Sequence, residues 1–286
     1  MGTSKLMSLE EAISTFVQDG DVVGIGGLSF WRKPVSACRE IIRQEKKNLT
    51  VCTFVGGIEV DMLIGGGCIS EVKASFVGME VFGMAPNYRK AIEGGKIKVS
   101  EESEASIALG LKCSYLKVPF MPLKGIIGTD FPNVRNDIKQ FEDPLGSGTQ
   151  LMALPKIDLD VALLHVPYAD VLGNGNIAGA VWLDDDMAKT AKKTIITCEK
   201  LVELEDIRHL PGKAQLPMQT TQAVVKVPFG AHPTSCYPNY TFDPRHIQSY
   251  LKMDFNDYKQ KYISKKSQAQ YLEEAGGAQT ILNVLL

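Results

Sequence analysis

Apolar and polar residues follow one another in blocks along this chain, and the blocks predict a regular succession of strands and helices. Residues 21–25, 49–55, 71–77 and 96–99 read as strands. VVGIG and LTVCTFV are almost continuously apolar, as parallel strands covered on both faces must be. Between and after them, residues 34–46, 60–64, 86–92 and 103–117 carry helical spacing. Ser8 followed by Glu11 has the S-x-x-E spacing of a capping box, so a first helix is expected over 9–18, ending near Gly20. Further strands are expected at 150–153, 160–166, 193–198 and 222–227, and a helical extension over 254–286 broken at Gly276 and Gly277. Alternating βαβα implies right-handed crossovers and a three-layer α/β architecture, an open and mostly parallel sheet with a C-terminal helical segment. Residues 1–286 are read as one domain. Residues 118–148 carry four prolines and four glycines with little periodicity, and are expected to be a long irregular segment facing substrate.

Composition narrows the function. At 286 residues and 44% hydrophobic content the chain can bury a full core. The net charge is −2, with Lys and Arg dispersed, so nothing points to nucleic acid or an anionic membrane surface. MGTSKLMSLEEA lacks the apolar core of a signal peptide, and no apolar run reaches membrane-spanning length. Cys38, Cys52, Cys68, Cys113, Cys198 and Cys236 form no C-x-x-C pair and mostly sit in apolar segments. A reduced, cytoplasmic protein is the expectation.

The chemistry begins at Gly24, Gly26 and Gly27, at the carboxyl end of the first strand and ahead of Pro34. Ligands of open α/β sheets bind beyond that end. The dinucleotide pattern G-x-G-x-x-G fails because residue 29 is serine, and no G-x-x-x-x-G-K-[ST] is present. His165, His209, His232 and His246 show no i, i+4 pairing, so no metal is expected. Asp184, Asp185 and Asp186 suit the positive end of a helix dipole. Cys236 beside His232 lacks a third, orienting group, and a turn lining a pocket or subunit contact is the better reading. Glu101, Glu102 and Glu104 follow a strand and open a helix. They either complement that dipole or place one acid, raised in pKa by partial burial, at the crevice. Arg32 and Lys33 on the same rim are either solvated cations or anchors for a carboxylate or phosphate.

Several segments together resemble the A (alpha) subunit of family I CoA-transferases, particularly the glutaconate CoA-transferase type. VVGIGGLSFWRKP is similar to the first glycine loop of that family, and ASFVG at 74–78 to its third strand. EESEASIALGLKCSYLKVPFMPLKGIIGTDF resembles its helix and substrate-facing loop, and LDVALLHVPYADVLGNGNI its strand and Gly-Asn turn. MAKTAKKTIITCEKLV and VPFGAHPTSCYP follow in the same order, so the likeness spans residues 6–240.

The resemblance implies transfer of CoA between carboxylic acids through a glutamyl-CoA thioester, with coenzyme A thioester as substrate and no permanently bound cofactor. Family members carry the nucleophilic glutamate on a B (beta) subunit, so the expected partner is such a chain, in an A2B2 or higher heteromer. Here the A half is expected to form one wall of the site. Gly26, Gly27 and Ser29 would shape the acyl pocket and donate N–H groups to an oxyanion, with Gly78, Gly128 and Thr129 bordering the crevice. Trp31 with Arg32 points to a bulkier or anionic acyl group, and the expected substrate is a dicarboxylic or otherwise polar acyl-CoA. A related acyl-CoA or ring-opening hydrolase with Glu104 as acid/base is an alternative, and a sugar-phosphate-type ligand-binding module is another, since the broader fold group also serves ribose-phosphate isomerases.

Overall fold

A computed structural model describes residues 3–211, 215–264 and 267–284. The strands are β1 (Val22–Ile25), β2 (Leu49–Gly56), β3 (Ile69–Val77), β4 (Lys98–Glu101), β5 (Phe120–Leu123), β6 (Lys139–Glu142), β7 (Gln150–Pro155), β8 (Leu159–Ala169), β9 (Gly175–Asn176), β10 (Ala191–Leu201) and β11 (Ala223–Lys226). The helices are α1 (Leu9–Phe16), α2 (Val35–Arg43), α3 (Ile58–Gly65), α4 (Pro86–Glu93), α5 (Glu104–Leu116), α6 (Phe131–Val134), α7 (Asp184–Thr190), α8 (Leu204–His209), α9 (Pro244–Lys252), α10 (Phe255–Tyr262), α11 (Gln268–Glu274) and α12 (Ala278–Leu282).

The main sheet runs β11-β10-β8-β1-β2-β3-β4, parallel throughout this path, with β9 antiparallel on β8. Period-two alternation sorts each strand's side chains between two cores. Val23, Ile25, Val51, Leu163, Ile195 and Val225 face one core, built with α1, α2 and α3. Cys52, Ala162, Leu164, Ile196 and Val224 face the other, with Ile107 and Leu111 of α5 and Met187 of α7. Strands apolar on both faces therefore need helices on both, which produces the three layers. Ser8 caps α1 by accepting from the amide of Glu11 at 3.1 Å.

The chain moves outward from β1 through β2 and β3 to β4, then restarts at β8 and moves the other way through β10 to β11. The switch point, where such sheets open a crevice, lies between the carboxyl ends of β1 and β8.

Residues 118–148 are not irregular, as their composition suggested. They hold β5, the short α6 and β6, and β7 completes a separate antiparallel sheet in the order β5-β7-β6. Ile126, Ile138, Met152 and Leu154 form its small core against Leu109 of α5. Four-residue strands, with Pro122 inside the edge strand β5, hide this sheet from a periodicity reading.

The C-terminal helices lie over α2, and the described part of that extension ends at residue 284. Arg39 of α2 stacks on the ring of Tyr271, 3.5 Å from its centroid, and donates to Gln268 at 2.8 Å. Beneath them His232 lies 2.6 Å from the Tyr271 hydroxyl and 3.2 Å from Asp243, and His246 lies 2.9 Å from the Tyr258 hydroxyl. Burial pushes both imidazoles below their ordinary value, although the Asp243 carboxylate opposes it, and His246 is depressed the more strongly.

An unfolded chain takes up protons on these two histidines near pH 6.5 that the folded chain refuses. Their contribution to stability is therefore full above that pH and falls as the pH drops below it. Thermal unfolding followed from about pH 7.5 to about pH 5.5 is expected to show this loss. His246→Phe, which keeps the ring packing, should flatten the difference between the two ends. An identical slope in the variant would show that His246 does not titrate in this way.

Candidate active site

The loop after β1 closes the switch point from one side. The amide of Gly26 extends the β1–β8 pairing by donating to the carbonyl of Leu163 at 3.0 Å. Gly27 has φ +71°, and a Cβ there would stand 2.2 Å from the carbonyl oxygen of Trp31, so only glycine fits. Leu28 and Trp31 exchange backbone hydrogen bonds across a tight turn, and Ser29 and Arg32 both take positive φ, 50° and 52°. Such conformations cost roughly 1–3 kcal/mol each and persist where surrounding contacts enforce them.

Those contacts are two buried ion pairs. Arg32 turns toward the β8 half of the sheet. It meets Asp184 Oδ1 at 3.0 Å, donates to the carbonyl of Ala180 at 2.8 Å, and reaches that of His165 at 3.2 Å. Asp184, at the start of α7, also accepts from the Gly27 amide at 3.2 Å. Lys33 turns the opposite way, to Glu59 of α3 at 3.0 Å and Thr53 of β2 at 3.0 Å. Side chains of all four charged residues are buried. Arg32 and Lys33 thus depart from the expectation of rim cations or substrate anchors: each already has a carboxylate inside the protein. A bulky acyl group remains compatible with Trp31, but the reason for an anionic one is gone.

The expected oxyanion donors are corrected for the same kind of reason. The amides of Gly26, Gly27 and Ser29 donate to Leu163, Asp184 and Val55 respectively. All three residues are buried, and their backbone amides are already hydrogen-bonded. Gly78 does come alongside them. The Cβ position of Gly57 lies 3.5 Å from the Gly78 carbonyl and 3.6 Å from that of Ser29, so the loops after β1, β2 and β3 converge there.

Gly128 and Thr129 are not brought to this point by any described contact. They form an exposed turn of the β5-β7-β6 excursion, in which the Thr129 hydroxyl donates to Ile126. Of the three glutamates, the structure buries Glu102 rather than Glu104. Glu102 lies 2.6 Å from Arg135 and accepts from the Ser106 hydroxyl at 2.5 Å. Burial pushes its carboxyl up despite both partners. Glu104 is exposed on the first turn of α5, so the partial burial invoked for it is absent.

Sequence reasoning missed a third buried assembly. Glu199 of β10 accepts from the Tyr240 hydroxyl at 2.6 Å and from the amides of Phe229 and Gly230 at 2.6 and 3.1 Å. His165 of β8 lies 2.8 Å from it and 2.8 Å from Thr197. Ligand atoms of His165, Glu199 and Cys236 lie within 4.8 Å of one another, a metal-like spacing. Both Glu199 oxygens already accept hydrogen bonds, which tie the loop after β11 to β10 and, through His165, to β8. The Cys236 thiol is pushed well up, chiefly by burial and then by Glu199, which disfavours the thiolate a nucleophile requires. No local signal marks Asp184, Glu59 or Glu199 as partners; Arg32 and Asp184 stand 152 positions apart.

A sequence model of the family described as Coenzyme A transferase matches residues 6–227. The A chain of glutaconate CoA-transferase from Acidaminococcus fermentans is 31% identical, over 97% of this chain and 94% of that protein. The crystal structure of the enzyme from that organism superposes with a TM-score of 0.92, covering 98% of this chain and 95% of the other. The corresponding A chain of 3-oxoadipate CoA-transferase from Pseudomonas knackmussii is 33% identical over 86% and 87% of the two chains. An uncharacterized Archaeoglobus fulgidus protein is 35% identical over 97% of this chain, which spans 63% of its length.

Removing one member of a buried pair strands the other charge, at a cost of about 3–5 kcal/mol, whereas replacing both is near neutral. Lys33→Met is therefore expected to lower unfolding free energy by about that amount, and Lys33→Met with Glu59→Gln to recover most of it. Denaturant unfolding of the two variants checks the coupling. A double variant no more stable than the single one would rule it out.

Proposed function

The chain belongs to the coenzyme A transferase family, and we propose that it is the alpha-type half of a heteromeric enzyme moving CoA between carboxylic acids. It is homologous to the alpha-type chains of glutaconate and 3-oxoadipate CoA-transferases. In the proposed cycle a carboxylate of a beta-type partner attacks the acyl-CoA carbonyl and displaces CoA thiolate, giving a mixed anhydride. The thiolate then attacks the enzyme's side of that anhydride, releasing the first carboxylic acid and leaving a glutamyl-CoA thioester. An acceptor carboxylate repeats the sequence in reverse. This is covalent catalysis by a carboxylate nucleophile.

One observation carries the assignment of the nucleophile to a partner. Each buried acid described around the carboxyl ends of the strands is held inside this chain. Asp184 and Glu59 are paired with Arg32 and Lys33, Glu102 with Arg135, and Glu199 with four donors. A carboxylate stabilised this way is a poor nucleophile, since attack would break its pairing in a dry setting. What this chain supplies is shape: Gly26, Gly27, Ser29 and Gly78 form a close backbone wall against which an acyl thioester can lie.

The assembly is proposed to be A2B2 or higher and cytoplasmic, where the six buried free thiols stay reduced. No described helix is long and apolar enough to cross a membrane.

Co-expression with a beta-type chain, incubation with acyl-CoA and borohydride reduction is expected to trap the thioester on the partner and not on this chain, read by intact mass. A trapped group on this chain would overturn the assignment. So would acyl-CoA consumption over many turnovers with no acceptor acid and no trapped thioester, which favours the hydrolase. Glu104→Gln separates the two further. A general base contributes at least about a hundredfold, so hydrolysis routed through Glu104 would fall by more than about tenfold. On the transferase reading turnover stays near that of the parent enzyme.

A further inference from the structure

Beside the loop after β1 a pocket of about 240 Å³ is bounded by Trp31, Arg32, Trp182, Tyr237 and residues 178–180. It borders the β1 loop through Trp31 and Arg32, and Asp184, the partner of Arg32, accepts from the Gly27 amide. A second, larger cavity of about 810 Å³ lies between α1, α2 and the end of β11, at the far edge of the sheet.

The three aromatic rings are half exposed: 51% for Trp31, 42% for Trp182 and 60% for Tyr237. Trp182 is held with φ 54°, as Arg32 is with φ 52°, so both walls carry backbone in the left-handed region. Arg32 is the one charged residue among those described in the lining, and four of its five N–H donors are engaged by Asp184, His165 and Ala180. A carboxylate entering this pocket would lose its hydration and meet a guanidinium already neutralised. Burying a charge without a partner is strongly unfavourable. An apolar ring meets the opposite conditions, with flat aromatic partners and apolar surface to cover.

Resting on the CoA-transferase reading, we propose that this pocket is the acyl subsite and that it selects a bulky apolar acyl group ending in an aromatic ring, over a dicarboxylic one. A cavity of roughly 150 Å³ holds a benzene ring, so this one accommodates a phenyl group with a short linker. The selective elements are Trp31, Trp182 and Tyr237.

The chain contains two tryptophans and both line this pocket, so intrinsic fluorescence reports its occupancy without a label. Titrating 3-phenylpropionate into the full chain should change that signal saturably, and glutarate should not. In the assembled enzyme, 3-phenylpropionyl-CoA is expected to exceed glutaryl-CoA in kcat/KM by at least about tenfold. Trp182→Gly, which suits the positive φ at this position, should reduce that preference by about tenfold, read as the ratio of the two kcat/KM values. Equal or better use of glutaryl-CoA, with fluorescence unmoved by the aromatic acid, would overturn the subsite and leave CoA transfer intact. Saturable fluorescence change in an assembly that transfers CoA from no thioester would instead keep the pocket as a binding site and overturn the activity. A fluorescence change on joining the beta-type chain that abolishes any response to the acid would show a partner side chain filling the pocket, and the proposal would fail.

Discussion

Two adjacent cations, Arg32 and Lys33, hold the two halves of this protein to the strand between them. The sheet reverses direction at β1, and a loop leaving such a strand belongs to neither half by topology alone. Arg32 reaches Asp184 at the start of α7, and Lys33 reaches Glu59 in α3, so one dipeptide joins both sides. Ion pairs this dry are weak sources of net stability, because desolvation offsets most of their attraction. Their force is specificity: any other course for the loop leaves four buried charges without partners.

The same pairing sets the character of the site. A loop rich in glycine at the end of a parallel strand invites the idea of free amides and free cations awaiting an anion. Here the amides at 26, 27 and 29 and both cations are engaged by the protein itself. What remains toward the crevice is rigid backbone and, beyond it, exposed aromatic surface. The loop after β11 is locked down in a matching way. Glu199 holds the amides of Phe229 and Gly230, and the backbone of Ser235 exchanges hydrogen bonds with Phe30 and Arg32. Positive φ at Ser29, Arg32, Trp182 and Phe229 gathers strained backbone around this one region. A rigid wall whose buried acids are engaged fits the proposal that the reactive group arrives on another chain.

Particular residues show where the sequence was legible. The strands at 49–55 and 160–166 announced themselves because both faces are buried, and the apolar run records that directly. The capping serine at position 8 was local and therefore visible. The excursion at 118–148 was not, because β5 carries Pro122 and its core is completed by Met152, Leu154 and Leu109 from outside the segment. Among the glutamates the choice of buried member turned on Arg135, which arrives from that excursion.

The sequence by itself determined the layered α/β class, the position of the glycine loop at a strand's carboxyl end, and the likeness to one type of CoA-transferase chain. The first two follow from periodicity and short-range spacing, which are properties of neighbouring residues, and the likeness from segments met in the same order along the chain. The tertiary structure alone decided the charge state of the site, because a cation's role depends on which acid lies against it. Asp184 is 152 positions from Arg32, and Glu59 is recognisable as the partner of Lys33 only after β1 and β2 have paired. Burial and pairing depend on contacts between distant segments, so they change the meaning of a residue without changing its local pattern.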